Sequence, residues 1–189
     1  MPLARARVVA QLWKTPAREL FALAAAAPPP LSPLRTAATV LILYTDGSNG
    51  DRLAARAGLR SSLGGSGLLS EPTQRLDGPL QVLELYGKVK FVVSPWGAGP
   101  DCHRTWEAVA MGAVPIVLAH RGLAPLFAGE PVLVVRAWTD VTPALLARWR
   151  PPPGRSRRVY TGFWHRKLEA DANALRAEMV EAFAKTARA

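Results

Sequence analysis

The chain has a single cysteine, Cys102, among its 189 residues. One cysteine excludes an intramolecular disulfide and a cysteine-rich zinc site. Cysteine content therefore does not indicate whether the protein belongs to an oxidising or a reducing compartment. Long apolar runs are scarce as well. The best candidate, residues 20–27, runs into three prolines and is far shorter than the ~20 residues of a bilayer-spanning helix. We therefore expect no membrane anchor in this chain.

Acidic residues are few, with 14 Asp and Glu against 24 Lys and Arg, and the formal net charge is +10. A basic surplus can recruit phosphate backbones, but these residues are spread widely and no nucleic-acid-binding signature accompanies them. The tightest basic cluster consists of Arg148, Arg150, Arg155, Arg157 and Arg158. We interpret it as a solvated loop, with a phosphate or membrane-surface patch as the alternative. We expect no nucleic-acid partner.

Composition and length predict one globular unit between two tails. Residues 1–35 form a basic N-terminal segment with a proline-rich linker, and the first 18 fit either an organelle transit peptide or an ordinary basic helix. Residues 36–165 form the predicted domain, and residues 166–189 a C-terminal helix. The hydrophobic fraction of 49% is enough for one sizeable core.

Within that domain, apolar runs alternate with helical patterns. We predict strands at residues 39–44, 91–93, 114–119 and 131–136, and helices at residues 51–59, 121–127, 142–149 and 166–185. Residues 80–86 fit a helix or a strand, and residues 61–70, rich in glycine and serine, fit a mobile loop. This alternation predicts an α/β fold, a Rossmann-like parallel sheet with helices on both faces.

Residues 90–117 carry the densest functional signal. A buried strand should end near Ser94, a tight turn with Gly97 and Gly99 should follow, and a helix should open at Asp101 or Cys102. Unpaired N–H groups at a helix start, together with the helix dipole, favour a phosphate group. The junction therefore predicts an anion site, with an arginine in the first helical turn.

The order of residues in this segment resembles the donor-binding segment of exostosin-like glycosyltransferases, including the ribitol xylosyltransferase-like branch. The residues that carry the resemblance are Ser94, Pro95, Gly97, Gly99, Asp101, Cys102, His103, Arg104, Thr105, Trp106, Glu107, Ala108, Gly112, Pro115, Ile116 and Val117. The resemblance implies the C-terminal half of a GT-B architecture, in which two Rossmann-like domains face a cleft. Because 189 residues hold one such domain, we expect an N-terminal domain or a partner chain to be missing.

The implied activity is transfer of a sugar from a nucleoside diphosphate sugar, expected to be a UDP-sugar, to a hydroxyl of a glycan or glycoprotein acceptor. Arg104 would be the catalytic residue, since it would stabilise the leaving diphosphate. Glu107 would bind the ribose hydroxyls. The full set of implied substrate contacts is Ser94, Gly97, Gly99, Asp101, His103, Arg104 and Glu107. The D-x-D signature of metal-dependent glycosyltransferases is absent, so we expect no metal and no cofactor. The family resemblance alone suggests the Golgi.

Each of these residues also has a structural interpretation. Arg104 and Glu107 could form a helix pair, the two glycines could serve the turn, and Asp101 could cap the helix. His103 could donate to a phosphate or act as a base, or it could be a structural or capping residue. Trp106 is expected to pack in the core and Cys102 to be a small filler, while His120 and His165 give no credible metal site. The alternatives to an enzyme are an inactive nucleotide-sugar-binding module and a basic nucleic-acid-binding protein.

Overall fold

Five short parallel strands form one sheet in a computed structural model of the chain. The structure describes residues 22, 40–43, 50–72, 79–153, 156, 158–159 and 161–186. The strands are β1 (Val40–Leu41), β2 (Leu69–Ser70), β3 (Phe91–Val93), β4 (Val114–Leu118) and β5 (Leu133–Val135). They lie in the order β2-β1-β3-β4-β5, and every neighbouring pair is parallel.

Helices connect these strands and extend beyond the last of them. They are α1 (Gly50–Leu63), α2 (Pro79–Lys88), α3 (His103–Ala110), α4 (Ala124–Phe127), α5 (Pro143–Arg148) and α6 (Thr161–Thr186). Single 3-10 turns lie at Arg121–Leu123 and Trp138–Asp140. α5 begins behind Thr142, whose hydroxyl accepts a hydrogen bond from the N–H of Leu145, as expected of a threonine at a helix start.

Successive strand residues point to opposite sides of the sheet, and helices cover both faces of its central strands. On one face, Val40 and Phe91 pack against Leu59 of α1 and Leu146 of α5. On the other face, the packing residues are Leu41, Val92, Leu83 and Tyr86 of α2, and Ala108 of α3. The chain is therefore an α/β, Rossmann-like arrangement, as the alternating sequence pattern predicts.

The strand order creates a crevice between β1 and β3. The helix that follows β1 packs on one face of the sheet, and the helix that follows β3 packs on the other. Because these two strands are neighbours, the segments leaving their carboxyl ends diverge, and ligands of open α/β sheets bind at such a switch point. The loop of residues 94–102, between β3 and α3, lies on one side of it.

Most predicted elements are confirmed within a few residues at their ends. Residues 80–86, left open in the sequence, belong to α2. The C-terminal helix begins at residue 161, five positions before the predicted start at 166. Apart from residue 22, the predicted N-terminal segment of residues 1–35 lies outside the described residues.

The prediction of a mobile loop at residues 61–70 is wrong. α1 continues to Leu63, and Leu69 and Ser70 form the edge strand β2 beside Val40 and Leu41. Only the turn between them is glycine-driven, because Gly65 and Gly67 have φ angles of 76° and 70°. Two residues in a glycine-rich stretch carry too little apolar periodicity to predict a strand.

A carboxylate anchors this edge of the sheet. Glu71, directly after β2, accepts two hydrogen bonds of 2.8 Å from the Arg60 guanidinium and is also paired with Arg56 of α1. The Arg60 hydrogen bond and the charge of Arg56 lower the pKa of the Glu71 carboxyl against the effect of its burial. The ion pairs fix the start of the β2–α2 connection against α1.

Interpreting the whole basic cluster as solvated also needs correction at Arg158. Its guanidinium donates to the carbonyls of Pro125, Leu126 and Ala128 and lies 3.1 Å from the buried carboxylate of Glu130. These carbonyls lie in or just after α4, where a cation is favourable. Arg158 therefore caps a helix end. Arg148 and Arg150 are exposed, and Arg155 and Arg157 lie outside the described residues.

The described side chains of the last helix, α6, contribute little to this core. Its residues 166–182 are exposed, including Leu168, Leu175, Met179 and Val180. Among the described residues, no helix is both long enough and apolar enough to cross a membrane.

Candidate functional site

α3 begins at His103, at the carboxyl edge of the sheet. The N-cap is Cys102, whose backbone is extended (φ −102°, ψ 137°) and whose side chain makes no capping hydrogen bond. The expectation that Asp101 caps the helix is wrong, because its carboxylate accepts a 2.9 Å hydrogen bond from the indole N–H of Trp106. The helix start therefore keeps backbone N–H groups that no cap side chain satisfies, which is the condition for anion binding.

The inner side of the 94–102 loop is held by a buried hydroxyl pair. Ser94 is 2% exposed, and its Oγ lies 2.8 Å from the Oγ1 of Thr105 in α3. The N–H of Ser94 donates to the carbonyl of Ile116, which extends the β3–β4 ladder by one bond. Ser94 thus joins the end of the strand to the helix. Its proposed contact with substrate stays a prediction.

Arg104 lies beneath the loop and is only 7% exposed. Its Nη1 donates to the carbonyl of Pro95 at 3.4 Å and to Sγ of Cys102 at 3.2 Å, and its side chain also hydrogen-bonds to that of Tyr86 in α2. The sequence places Arg104 in the first turn of the helix, and the structure confirms that position. It also shows the guanidinium facing the loop from the inside, so phosphate binding by Arg104 stays a prediction.

The carboxyl of Glu107 and the phenol of Tyr86 lie near the buried Arg104 side chain. Burial raises the pKa of the Glu107 carboxyl, while the charges of His103 and Arg104 oppose the shift. Burial also raises the pKa of the Tyr86 phenol, and the neighbouring Glu107 carboxyl adds to this effect. The site therefore combines a buried arginine with a carboxyl that holds its proton more strongly than a solvent-exposed carboxyl does.

Gly97 and Gly99 are not required by the turn itself. Neither has a φ angle in the left-handed region, which among the described glycines is reserved for Gly65, Gly67, Gly112 and Gly129. A Cβ at Gly97 would make an ordinary 3.5 Å contact with Cys102 Sγ, and a Cβ at Gly99 would meet nothing within 4 Å. The turn explanation therefore loses its support, since alanine would fit at both positions. Gly99 leaves open space before the helix start.

His103, the first residue of α3, is exposed. Of the seven expected contact residues, the structure exposes His103 and leaves open space at Gly99, whereas Gly97 is half-buried beside Cys102 Sγ. Asp101 is half-buried against Trp106, while Ser94 and Arg104 are directed inward. Trp106 packs against Phe127, with ring centroids 6.2 Å apart, so its predicted packing role is confirmed.

Sequence reasoning missed Asp51, in the first turn of α1. Its Oδ2 accepts a 2.7 Å hydrogen bond from the backbone N–H of Trp96, and its Oδ1 accepts a 3.0 Å hydrogen bond from the indole N–H of Trp138. One carboxylate thus joins the segments that follow β1, β3 and β5. The available signal was its place just after a predicted strand, at the edge where parallel sheets hold functional groups.

His120 was also missed as a site residue. It follows β4 at the same edge, and its ring meets that of Trp96 edge-to-face, with centroids 5.5 Å apart at 83°. In the sequence it was considered only as a metal ligand. No group of three or more His, Cys, Asp or Glu residues suited to a metal ion occurs in the described part of the chain.

No protein-family model matches the chain, and no curated protein matches it either.

Proposed function

We propose that this chain is the donor-binding domain of an exostosin-like glycosyltransferase, which binds a nucleoside diphosphate sugar, with UDP as the expected nucleotide. Two facts support the proposal. The segment that resembles this family, residues 94–117, begins where β3 ends. That strand borders the switch point of a doubly wound parallel sheet, the place where such sheets bind nucleotides.

The observation that carries the proposal is the open space at Gly99. Neither backbone conformation nor packing requires glycine there. A backbone without side chains lets a ligand approach its N–H groups closely. The diphosphate would therefore lie over Gly99, against the start of α3, where no side chain caps the helix and the helix dipole favours negative charge.

Arg104, beneath the 94–102 loop, and Glu107, one helical turn further along α3, would complete the donor site. The buried guanidinium sets positive charge behind the proposed diphosphate, where it would stabilise the charge that develops as the sugar departs. It also fixes the loop through the Pro95 carbonyl. Glu107 would accept hydrogen bonds from the ribose hydroxyls. The glycan hydroxyl would attack from the side of a second domain or a partner chain.

The direct test is Gly99→Ala. We expect the free energy of unfolding to change by less than about 0.5 kcal/mol, because the new methyl group meets open space. Affinity for UDP should fall by about 1–3 kcal/mol, the cost of inserting a methyl group into a filled contact. Calorimetric titration with chelator present measures the affinity and asks whether a divalent cation is needed.

Gly87→Ala in α2 is the matched control, because a Cβ there would make only a 3.5 Å contact with Met111. It should leave UDP affinity unchanged. Full UDP affinity in Gly99→Ala, or binding that strictly requires a metal ion, would contradict the proposed phosphate site.

A nucleotide-sugar-binding module without turnover of its own is the second candidate. It is favoured by the single sheet that the described residues form, since two Rossmann-like domains face the cleft of a GT-B enzyme. Product formation with a glycan acceptor separates it from an enzyme. Nucleic-acid binding receives less support, because Arg158 of the basic cluster is used internally, and any such binding should vanish near physiological salt.

A further inference from the structure

The carboxyl edge of the sheet holds an aromatic pair that the proposed donor site does not use. Trp96 belongs to the 94–102 loop and His120 follows β4, and both side chains are half-buried. Their rings meet edge-to-face. In this arrangement the edge of one ring touches a face of the other, so the contact covers at most one face of either ring.

The backbones that carry these rings are fixed. The N–H of Trp96 donates to Asp51 Oδ2 at 2.7 Å, and the carbonyl of His120 accepts from the N–H groups of Leu123 and Ala124 at 3.0 and 3.1 Å. Both rings are therefore positioned before any ligand arrives. A ligand that uses them loses little affinity to ordering of the site.

His120 also has unused hydrogen-bonding capacity. Its Nδ1 is buried and has no partner among the described residues, and Nε2 makes no hydrogen bond to them either. Gly122 makes room for the ring, since a Cβ at this position would lie 3.3 Å from His120 Cε1. Buried polar atoms in native proteins nearly always have a partner, and an exception calls for an explanation such as a ligand.

We infer that Trp96 and His120 form the subsite for the planar base of the bound nucleotide. The proposal rests on the proposed function, which places the diphosphate over the same loop. The base would stack on Trp96, and Nε2 of His120, the ring nitrogen that is not buried, would hydrogen-bond to its polar edge. An imidazole nitrogen can donate or accept according to the tautomer, which suits a base edge that carries both donors and acceptors.

The experiment compares three probes on the full chain by calorimetric titration: UDP, uridine, and inorganic pyrophosphate, which has no base. We expect His120→Ala to weaken UDP and uridine by about tenfold each, because it removes both the hydrogen bond to the base and the ring that packs against Trp96. Pyrophosphate affinity should stay unchanged. His120→Phe keeps an aromatic ring beside Trp96 but lacks both nitrogens, so it should weaken the two base-containing probes by a smaller factor.

Lys167→Ala in α6 is the control, since its exposed side chain pairs only with Asp171 among the described residues; it should bind all three probes as the unmodified chain does. Unchanged UDP affinity in either histidine variant would overturn the subsite, as would an equal loss for pyrophosphate. If the unmodified chain binds pyrophosphate as tightly as UDP, the base subsite fails and the anion site stands. If it binds none of the probes, the proposed function fails with it.

Discussion

Replacing Asp51 by alanine should destabilise the protein by about 3 kcal/mol, because it removes the acceptor of two hydrogen bonds at once. The donors are the backbone N–H of Trp96 and the indole N–H of Trp138. A hydrogen bond to a charged group contributes about 1.5–3 kcal/mol, and we take the lower value for each because both are only partly buried. With a urea m-value of about 2 kcal/mol/M, the midpoint of unfolding should fall by about 1.5 M.

A double-mutant cycle isolates one of the two bonds. Trp138→Phe removes the indole donor and leaves the backbone bond of Trp96 in place. This substitution also destabilises the protein by removing buried side-chain volume, since Trp138 is buried and packs closely on Gly58. The cycle removes that contribution, and the coupling energy between Asp51 and Trp138 should be about 1.5 kcal/mol. Purely additive losses would refute the argument that the carboxylate joins these segments.

Asp140→Ala provides the matched control. The Asp140 carboxylate also accepts from two N–H groups, those of Ala137 at 2.9 Å and Arg136 at 3.2 Å, but it is exposed. Water can replace those bonds, so we expect a loss of less than about 1 kcal/mol. Equal losses at Asp51 and Asp140 would show that burial at the carboxyl edge adds nothing.

The remaining predictions concern Arg104 and Glu107. Arg104→Ala should weaken UDP binding by about 1.5–3 kcal/mol and hardly change uridine affinity. Glu107→Ala should weaken the binding of both ligands alike, because both carry the ribose. If calorimetry finds no effect of either substitution, Arg104 and Glu107 have only a structural role. Burial raises the pKa of the Glu107 carboxyl. The stability that this carboxyl contributes is therefore fully present below its ordinary pKa of 4.5, and it is lost as the pH rises through the raised pKa. Glu107→Gln should therefore be the more stable protein at about pH 8 and lose that advantage at about pH 4, and a difference in urea midpoints that is constant with pH would contradict the assignment.

The sequence predicted the sheet better than its edge. Continuous apolar runs at residues 91–93 and 114–118 are typical of strands buried on both faces, and they lie at the centre of the sheet. β2 escaped prediction because it pairs through only two residues, Leu69 and Ser70, on one side of β1. Pairing of this kind is decided by tertiary contacts, here the ion pairs of Glu71 with α1, and no local pattern reports them.

The position of the site in the fold was predictable from the sequence, but the directions of its side chains were not. The strand, turn and helix start around residue 100 follow from glycine, proline and apolar spacing. His120 and Asp51 could also have been found, since each follows a predicted strand and parallel strands end at one edge. Trp138 had no comparable signal, because its contact with Asp51 spans 87 positions. Such partners are known only once the sheet order is known.

The two sides of the 94–102 loop explain why the motif alone could not assign roles. Ser94 and Arg104 look like ligand contacts in the sequence, yet their polar atoms bind Thr105 and the Pro95 carbonyl. A loop has no period that separates inward from outward residues, as a helix or strand has. The inward residues fix the backbone whose outer side Gly99 leaves uncovered. A substitution at an inward residue should therefore change both stability and affinity, whereas one at Gly99 should change affinity alone, and only the second can identify a ligand contact.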